Sequence, residues 1–195
     1  MLNAKEFRFV SIFLLIAAAW RLLPYIFPEA QYSLANIAPV AALGLFGGVH
    51  LRRNSLAFAL PLVAMLASDV VIALVGGTAF FHSTFFFVYA AFALTVLLGR
   101  GVRRKMNLGT LGAGVLSGSV VFFLLTNFGV WAMDTEGLMY ERSLSGLLYS
   151  YEMAIPFYKN TLLGDLTFSL LGFGGFALYQ RYGLHKAPAP AQSAS

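Results

Sequence analysis

An all-α, polytopic membrane protein with six transmembrane helices is the fold class this sequence predicts, and three observations predict it. Hydrophobic residues make up 59% of the 195 and charged residues only 11%, with a mean hydropathy of +0.76. A soluble domain carries about a quarter charged residues, so this chain has too few charges to clothe a water-facing surface. Six segments approach the roughly 20 apolar residues that a helix needs to cross a hydrocarbon core. Basic residues alternate along the connecting loops, as the positive-inside rule requires of a multi-pass chain. An ordinary cytosolic enzyme is thereby excluded. The absence of Cys further excludes a disulfide scaffold, a thiolate metal site and a cysteine nucleophile.

The predicted spans are residues 7–23, 34–51, 56–75, 84–98, 108–131 and 160–179. The first runs straight into Arg21 and Pro24 without a small-residue cleavage pattern, so it reads as a span and not as a signal peptide. With both termini inside, Lys5, Arg8, Arg52, Arg53, Arg100, Arg103, Arg104, Lys105, Arg181 and Lys186 fall on the cytoplasmic side; only Arg21, Arg142 and Lys159 do not. The net charge of +5 is therefore a topology signal and not a nucleic-acid footprint. Residues 1–182 read as one membrane domain, and the Pro-containing tail 183–195 as disordered. In the connection before the last span, Leu144, Leu147, Leu148, Tyr151, Ala154 and Ile155 recur at helical spacing between a Ser143 cap and a Pro156 stop. That pattern predicts an amphipathic helix on the outer face, either capping something beneath it or lying at the interface.

Polar groups inside a bilayer are costly unless paired or hydrated, so their depth carries information. Arg21 ends span 1 at the outer side, Asn36 begins span 2, and Asp69 stands two-thirds of the way up span 3 beside Ser68. His82 and Ser83 stand at the start of span 4 with Tyr89 two turns deeper. Thr126, Asn127 and Trp131 occupy the outer part of span 5, and Asn160 and Asp165 open span 6. The inner halves are nearly pure Leu, Val, Ala, Phe and Gly. This one-sidedness predicts an outward-facing polar cavity lined by Arg21, Asn36, Asp69, His82, Asn127 and Asp165, with Tyr89, Trp131 and Phe80 to Phe87 as aromatic walls. For any one residue the bland alternative is structural: Arg21 pairing with Asp69 or Asp165, or Asn127 bonding a neighbouring helix. His82 fits three roles, as a metal or cofactor ligand, a substrate hydrogen-bond donor, or an interfacial histidine without a task.

Ala38-xxx-Ala42, Gly44-xxx-Gly48 and Gly114-xxx-Gly118 allow close helix approach, in the first instance within the bundle and alternatively against a partner protein. No P-loop and no HExxH motif is present, and Gly112-Ala113-Gly114 lacks the strand context of a dinucleotide fingerprint. Ser117 and Ser119 lie toward the inner side, away from His82, so no Ser–His pair forms. The chain reads as a binder and not an enzyme, with no catalytic residue, metal or cofactor assigned.

The runs "RLLPY" at Arg21, "NIAPVAALGLFGG" at Asn36, "LASDV" at Leu66, "FHSTFFFVYAAFALTVLLGR" at Phe81, "FFLLTNFGVW" at Phe122 and "LLYSYEMAIPFYKNTLLGDL" at Leu147 resemble an uncharacterised family of small bacterial six-span membrane proteins. In plan, that family is similar to the substrate-binding S components of energy-coupling-factor (ECF) vitamin transporters. The resemblance implies a bacterial inner-membrane protein holding a vitamin- or cofactor-like small molecule near the outer face. It also implies an ECF-type energising module as partner, although the AxxxA pattern of S components is replaced here by consecutive Ala17, Ala18 and Ala19. Solitary cobalamin S components use a cysteine before span 4, where this chain has His82. The leading expectation is thus a substrate-binding or uptake protein in the lipid bilayer, with no nucleic-acid partner. Its alternatives are a membrane scaffold or assembly factor, and, less favoured, an intramembrane enzyme acting on lipids.

Overall fold

The computed structural model describes residues 2–27, 29, 37, 39–76 and 80–183. The expected disordered tail from residue 184 onward, Asn36 and Ala38 lie outside these described residues, while Gly183, expected to begin that tail, ends a helical turn. Asn3 opens the first helix, α1 (Ala4–Trp20), by a capping box: its side chain accepts from the Glu6 N–H, and the Glu6 carboxylate accepts from the Asn3 N–H, both at 2.9 Å. A short α2 (Leu23–Ile26) follows, with Pro24 in its first turn. Next come α3 (Val40–His50), α4 (Asn54–Gly76) and α5 (Phe85–Arg104). Asn107 caps α6 (Leu108–Met133), and Ser143 caps α7 (Leu144–Ser169) by accepting from the Gly146 N–H. The chain then continues through a π-helical turn (Leu170–Gly174), α8 (Gly175–Leu178) and a second π-helical turn (Tyr179–Gly183). No strand occurs among the described residues.

Among the described residues, four helical segments are long and apolar enough to cross a membrane: α4, α5, α6, and the stretch from Leu144 to Tyr182. The other two predicted spans are shorter as helices. α1 has 17 residues and α3 only 11, so α3 rises about 16 Å, half of a typical hydrocarbon core. That short helix is the centre of the molecule. Val40 to Val49 are all buried, and α3 packs chiefly on α5 and also on α4, α6, α7 and α1.

Close packing around α3 depends on its glycines. A Cβ on Gly44 would run into the Thr95 hydroxyl, and one on Gly48 into the Val96 carbonyl. Gly114 and Gly118 of α6 face Val102 and Thr95 of α5 and Leu45 and Ala41 of α3. These small-residue faces are internal helix contacts and do not form a free surface for a partner protein. The outside is apolar instead: Leu15, Val63, Leu74, Val75 and Leu170 are each at least 60% exposed. So much outward-facing aliphatic surface suits a hydrocarbon environment and not water.

The separate amphipathic helix does not exist. Pro156 lies inside α7 and does not stop it. A mid-helix proline forfeits one backbone hydrogen bond and crowds the preceding turn, but here aromatic packing supports both flanks: Phe123 of α6 meets Tyr151 and Tyr158 at ring distances of 5.8 and 4.8 Å. The Tyr151 hydroxyl also donates to the Leu124 carbonyl at 3.2 Å. Leu144, Leu148 and Ile155 are more than half exposed, whereas Leu147, Tyr151 and Ala154 are partly buried, so half of the apolar stripe points outward and half faces the bundle.

Candidate functional site

Three helices bring their polar side chains to one end of the bundle. Arg21 ends α1, where its N–H still bonds to the Ala18 carbonyl at 3.2 Å and its side chain crosses to α4. There one guanidinium nitrogen donates to the Ser68 hydroxyl and the Met65 carbonyl, and the other to the Asp69 carboxylate at 2.5 Å. Asp69 uses its second oxygen to accept from the Tyr89 hydroxyl of α5 at 2.6 Å. The Arg21 and Asp69 side chains are only 15% and 14% exposed. This is the one ion pair among the described residues. Removing either partner would leave an uncompensated charge in a mostly dry place.

The pair is not sealed in. Arg21 and Asp69 stand in the wall of a cleft of about 320 Å³ together with Tyr25, Ile72, Ala73, Phe80 and His82. Small-molecule sites have this character, mostly apolar walls with a few convergent polar groups, and begin near this volume. Tyr89 backs the site by stacking on Phe85, with ring centroids 4.3 Å apart. His82 is exposed at the mouth, its Nδ1 3.0 Å from the Thr84 hydroxyl. Among the described residues no group of three His, Asp or Glu is placed to hold a metal ion.

The remaining expected site residues go elsewhere. Asn127 donates to the Phe123 carbonyl of its own helix at 2.8 Å and lines a different groove of about 280 Å³ between α6 and α7, with Thr126, Tyr158 and Thr161. The Trp131 indole donates to the Glu141 carbonyl at 3.0 Å, with Arg142 lying 5.1 Å over its ring, and so fastens the loop after α6. Asp165 is fully buried and accepts from the Ala42 N–H at 3.1 Å. The expected single cavity is therefore corrected for the described residues: Arg21, Asp69 and His82 share a cleft, Tyr89 supports it, and Asn127, Trp131 and Asp165 do not join them. Asn36 lies outside the described residues.

Sequence reasoning missed Tyr25, Ile72 and Ala73. A signal was present: Tyr25 follows Arg21 by four positions, and Ile72 and Ala73 follow Asp69 by three and four, the spacings that share a helix face. It also missed Trp20, whose indole donates to the Ile37 carbonyl at 2.8 Å and whose ring meets Phe168 at 5.4 Å. Trp20 thereby ties the approach to α3 against α1 and α7.

Before the first predicted span and after α6, two carboxyls are held below the usual carboxylate range. Glu6 accepts from the Gln180 side chain and the Asn3 N–H. Asp134 accepts from the backbone N–H groups of Tyr140, Met139 and Leu138 at 2.8, 2.8 and 3.1 Å. Both are anchors: Glu6 joins the start of α1 to the π-helical turn Tyr179–Gly183, and Asp134 organises the loop to α7.

No curated protein and no solved structure matches the chain, so the expected likeness to ECF S components finds no support. A family described as being of unknown function (DUF6580) matches residues 2–189. With nearly the whole sequence covered, the chain belongs to this family.

Proposed function

We propose that this protein is an integral membrane protein of the bacterial inner membrane that binds a small vitamin- or cofactor-like molecule in the cleft framed by Arg21, Asp69 and His82. The observation that carries the reading is the Arg21–Asp69–Tyr89 network: a nearly dry ion pair forming the wall of an open, mostly apolar cleft. A ligand there meets a guanidinium donor and a carboxylate acceptor already fixed in place, so little order is lost on binding. Ile72, Ala73 and Phe80 supply apolar contact, and His82 stands at the mouth as a hydrogen-bonding group.

In this reading α1 and the 34–51 segment complete six crossings around the four long apolar helices, with both termini cytoplasmic. Arg52, Arg53, Arg100, Arg103 and Arg104 supply the cytoplasmic charge. Asn54 begins α4 and Asp69 lies two-thirds of the way along it, about 22 Å apart along the helix, which sets the cleft far from that basic end. The stretch Leu144–Tyr182, with 39 residues, is about 58 Å long. It exceeds a hydrocarbon core of roughly 30 Å, so the part before Pro156 stands beyond the outer face. The glycine faces that would have served a scaffold are occupied, that of α3 by α5 and that of α6 by α5 and α3.

The test is native mass spectrometry of the protein purified in mild detergent. The wild type is expected to carry a small adduct that Tyr89→Phe and His82→Ala each weaken while the protein stays folded. An adduct that survives the double variant overturns the assignment of the cleft.

A further inference from the structure

Three arginines converge on a second groove, at the end of the bundle opposite the Arg21 cleft. It lies between α4 and α5, holds about 440 Å³, and is lined by Asn54, Phe58, Leu97, Arg100, Arg103 and Arg104. Its two halves differ in character. Toward the bundle middle the wall is Phe58 and Leu97; Leu97 is 52% exposed, and Leu94, one turn further along α5, is 40% exposed. Toward the helix ends the wall is cationic.

Arg100 is fixed in position by donating to the Arg52 carbonyl at 3.1 Å and the Asn54 side chain at 2.8 Å. Its Nε is buried and has no hydrogen-bond partner, and Arg103 is close enough to repel it. Among the described residues no carboxylate pairs with any of the three. The dipole at the C-terminus of α5 favours Arg103 and Arg104, but it explains neither the anchored Arg100 nor the exposed Leu97. Uncompensated guanidiniums above an apolar wall fit an anion that carries a hydrocarbon tail.

We propose that this groove binds an anionic phospholipid of the cytoplasmic leaflet, with the phosphodiester on Arg100, Arg103 and Arg104 and an acyl chain along Phe58 and Leu97. The proposal rests on the membrane-spanning reading and is independent of any ligand in the outer cleft. A lipid in this position would neutralise the mutual repulsion and pin α4 to α5, which touch only lightly elsewhere.

The experiment is native mass spectrometry of the full chain in neutral detergent, titrated with phosphatidylglycerol, phosphatidylcholine or glycerol phosphate. Phosphatidylglycerol is expected to bind in preference to phosphatidylcholine, and the R103Q/R104Q variant to lose about 30-fold of that binding. K5Q/R8Q, with the same change in charge outside the groove, stays within about twofold of wild type. Leu97→Asn, at an exposed position, weakens the lipid complex and so tests the groove even where the arginine variant folds poorly. Equal binding of the two phospholipids, or full competition by glycerol phosphate, overturns the proposal. Release of the protein from membranes by alkaline carbonate would remove the membrane reading itself. Retention without lipid preference removes only the lipid site.

Discussion

The Asp165 carboxylate accepts a hydrogen bond from the Ala42 backbone N–H at 3.1 Å, across 123 positions of sequence. Ala42 lies in the first turn of α3, whose own N-cap, Pro39, offers no side-chain bond. The first N–H groups of a helix have no partner within it, and α3 starts at buried residues, Pro39 to Ala42. Asp165 of α7 therefore acts as a cap delivered from another helix, with a carboxyl oxygen set against the positive end of the α3 dipole.

Asp165→Asn keeps an acceptor for the Ala42 N–H, whereas Asp165→Leu removes it. The leucine variant is expected to lose about 1–3 kcal/mol of stability, the cost of a buried unpaired donor, and the asparagine variant less. Thermal unfolding in detergent checks the order. Equal stability of the leucine variant and the wild type would show that the cap contributes nothing.

The Arg21–Asp69 pair is expected to be strongly coupled. Asp69→Ala strands a nearly buried guanidinium and should cost about 3–5 kcal/mol, while Arg21→Met with Asp69→Leu should recover most of it. Tyr89→Phe removes one hydrogen bond to the carboxylate and costs about 1 kcal/mol. A double-mutant cycle measures the coupling, and purely additive losses would mean the two side chains act separately.

Substituting the glycines tests the packing around α3. Gly44→Leu or Gly48→Leu places side-chain atoms where Thr95 and the Val96 backbone already stand. Each should cost more than the 1–3 kcal/mol or so of ordinary overpacking and abolish folded protein in size-exclusion chromatography. Gly112 meets nothing within 4 Å, so Gly112→Ala is expected to stabilise α6 by about 0.5–1 kcal/mol. Folded Gly48→Leu would contradict the contact of α3 with α5.

The loop after α6 should loosen in acid. Three backbone N–H groups hold the Asp134 carboxyl below its ordinary value of 3.8. A carboxyl depressed in the folded state contributes fully above that ordinary value, and its contribution is lost as pH falls through the lower folded value. Hydrogen exchange at Leu138, Met139 and Tyr140 is therefore expected to stay slow at neutral pH and to rise relative to neighbouring amides below pH about 4. Asp134→Asn should show the faster exchange already at neutral pH. Protection unchanged by either treatment would separate the loop's order from its aspartate.

Legibility followed a physical boundary. Composition and periodicity sufficed for the helices α4, α5 and α6, whose ends fall within two residues of the expected 56–75, 84–98 and 108–131 except that α5 runs on to Arg104, because a 3.6-residue repeat and a long apolar run are local properties. The Ser143 cap was equally local. Pro156 misled because a proline's effect on a helix depends on what braces the neighbouring turns, and Phe123 belongs to another helix.

Depth along each helix was also written in the sequence, since a fixed rise per residue converts position into height. It placed Arg21, Asp69 and His82 at one end, and they share a cleft there. Which way each helix turns its faces was not written there, because that angle is settled by how all the helices pack together. Only the tertiary structure sends Asp165 to the start of α3, turns Asn127 toward α7, and leaves the Arg21–Asp69 pair beside open space.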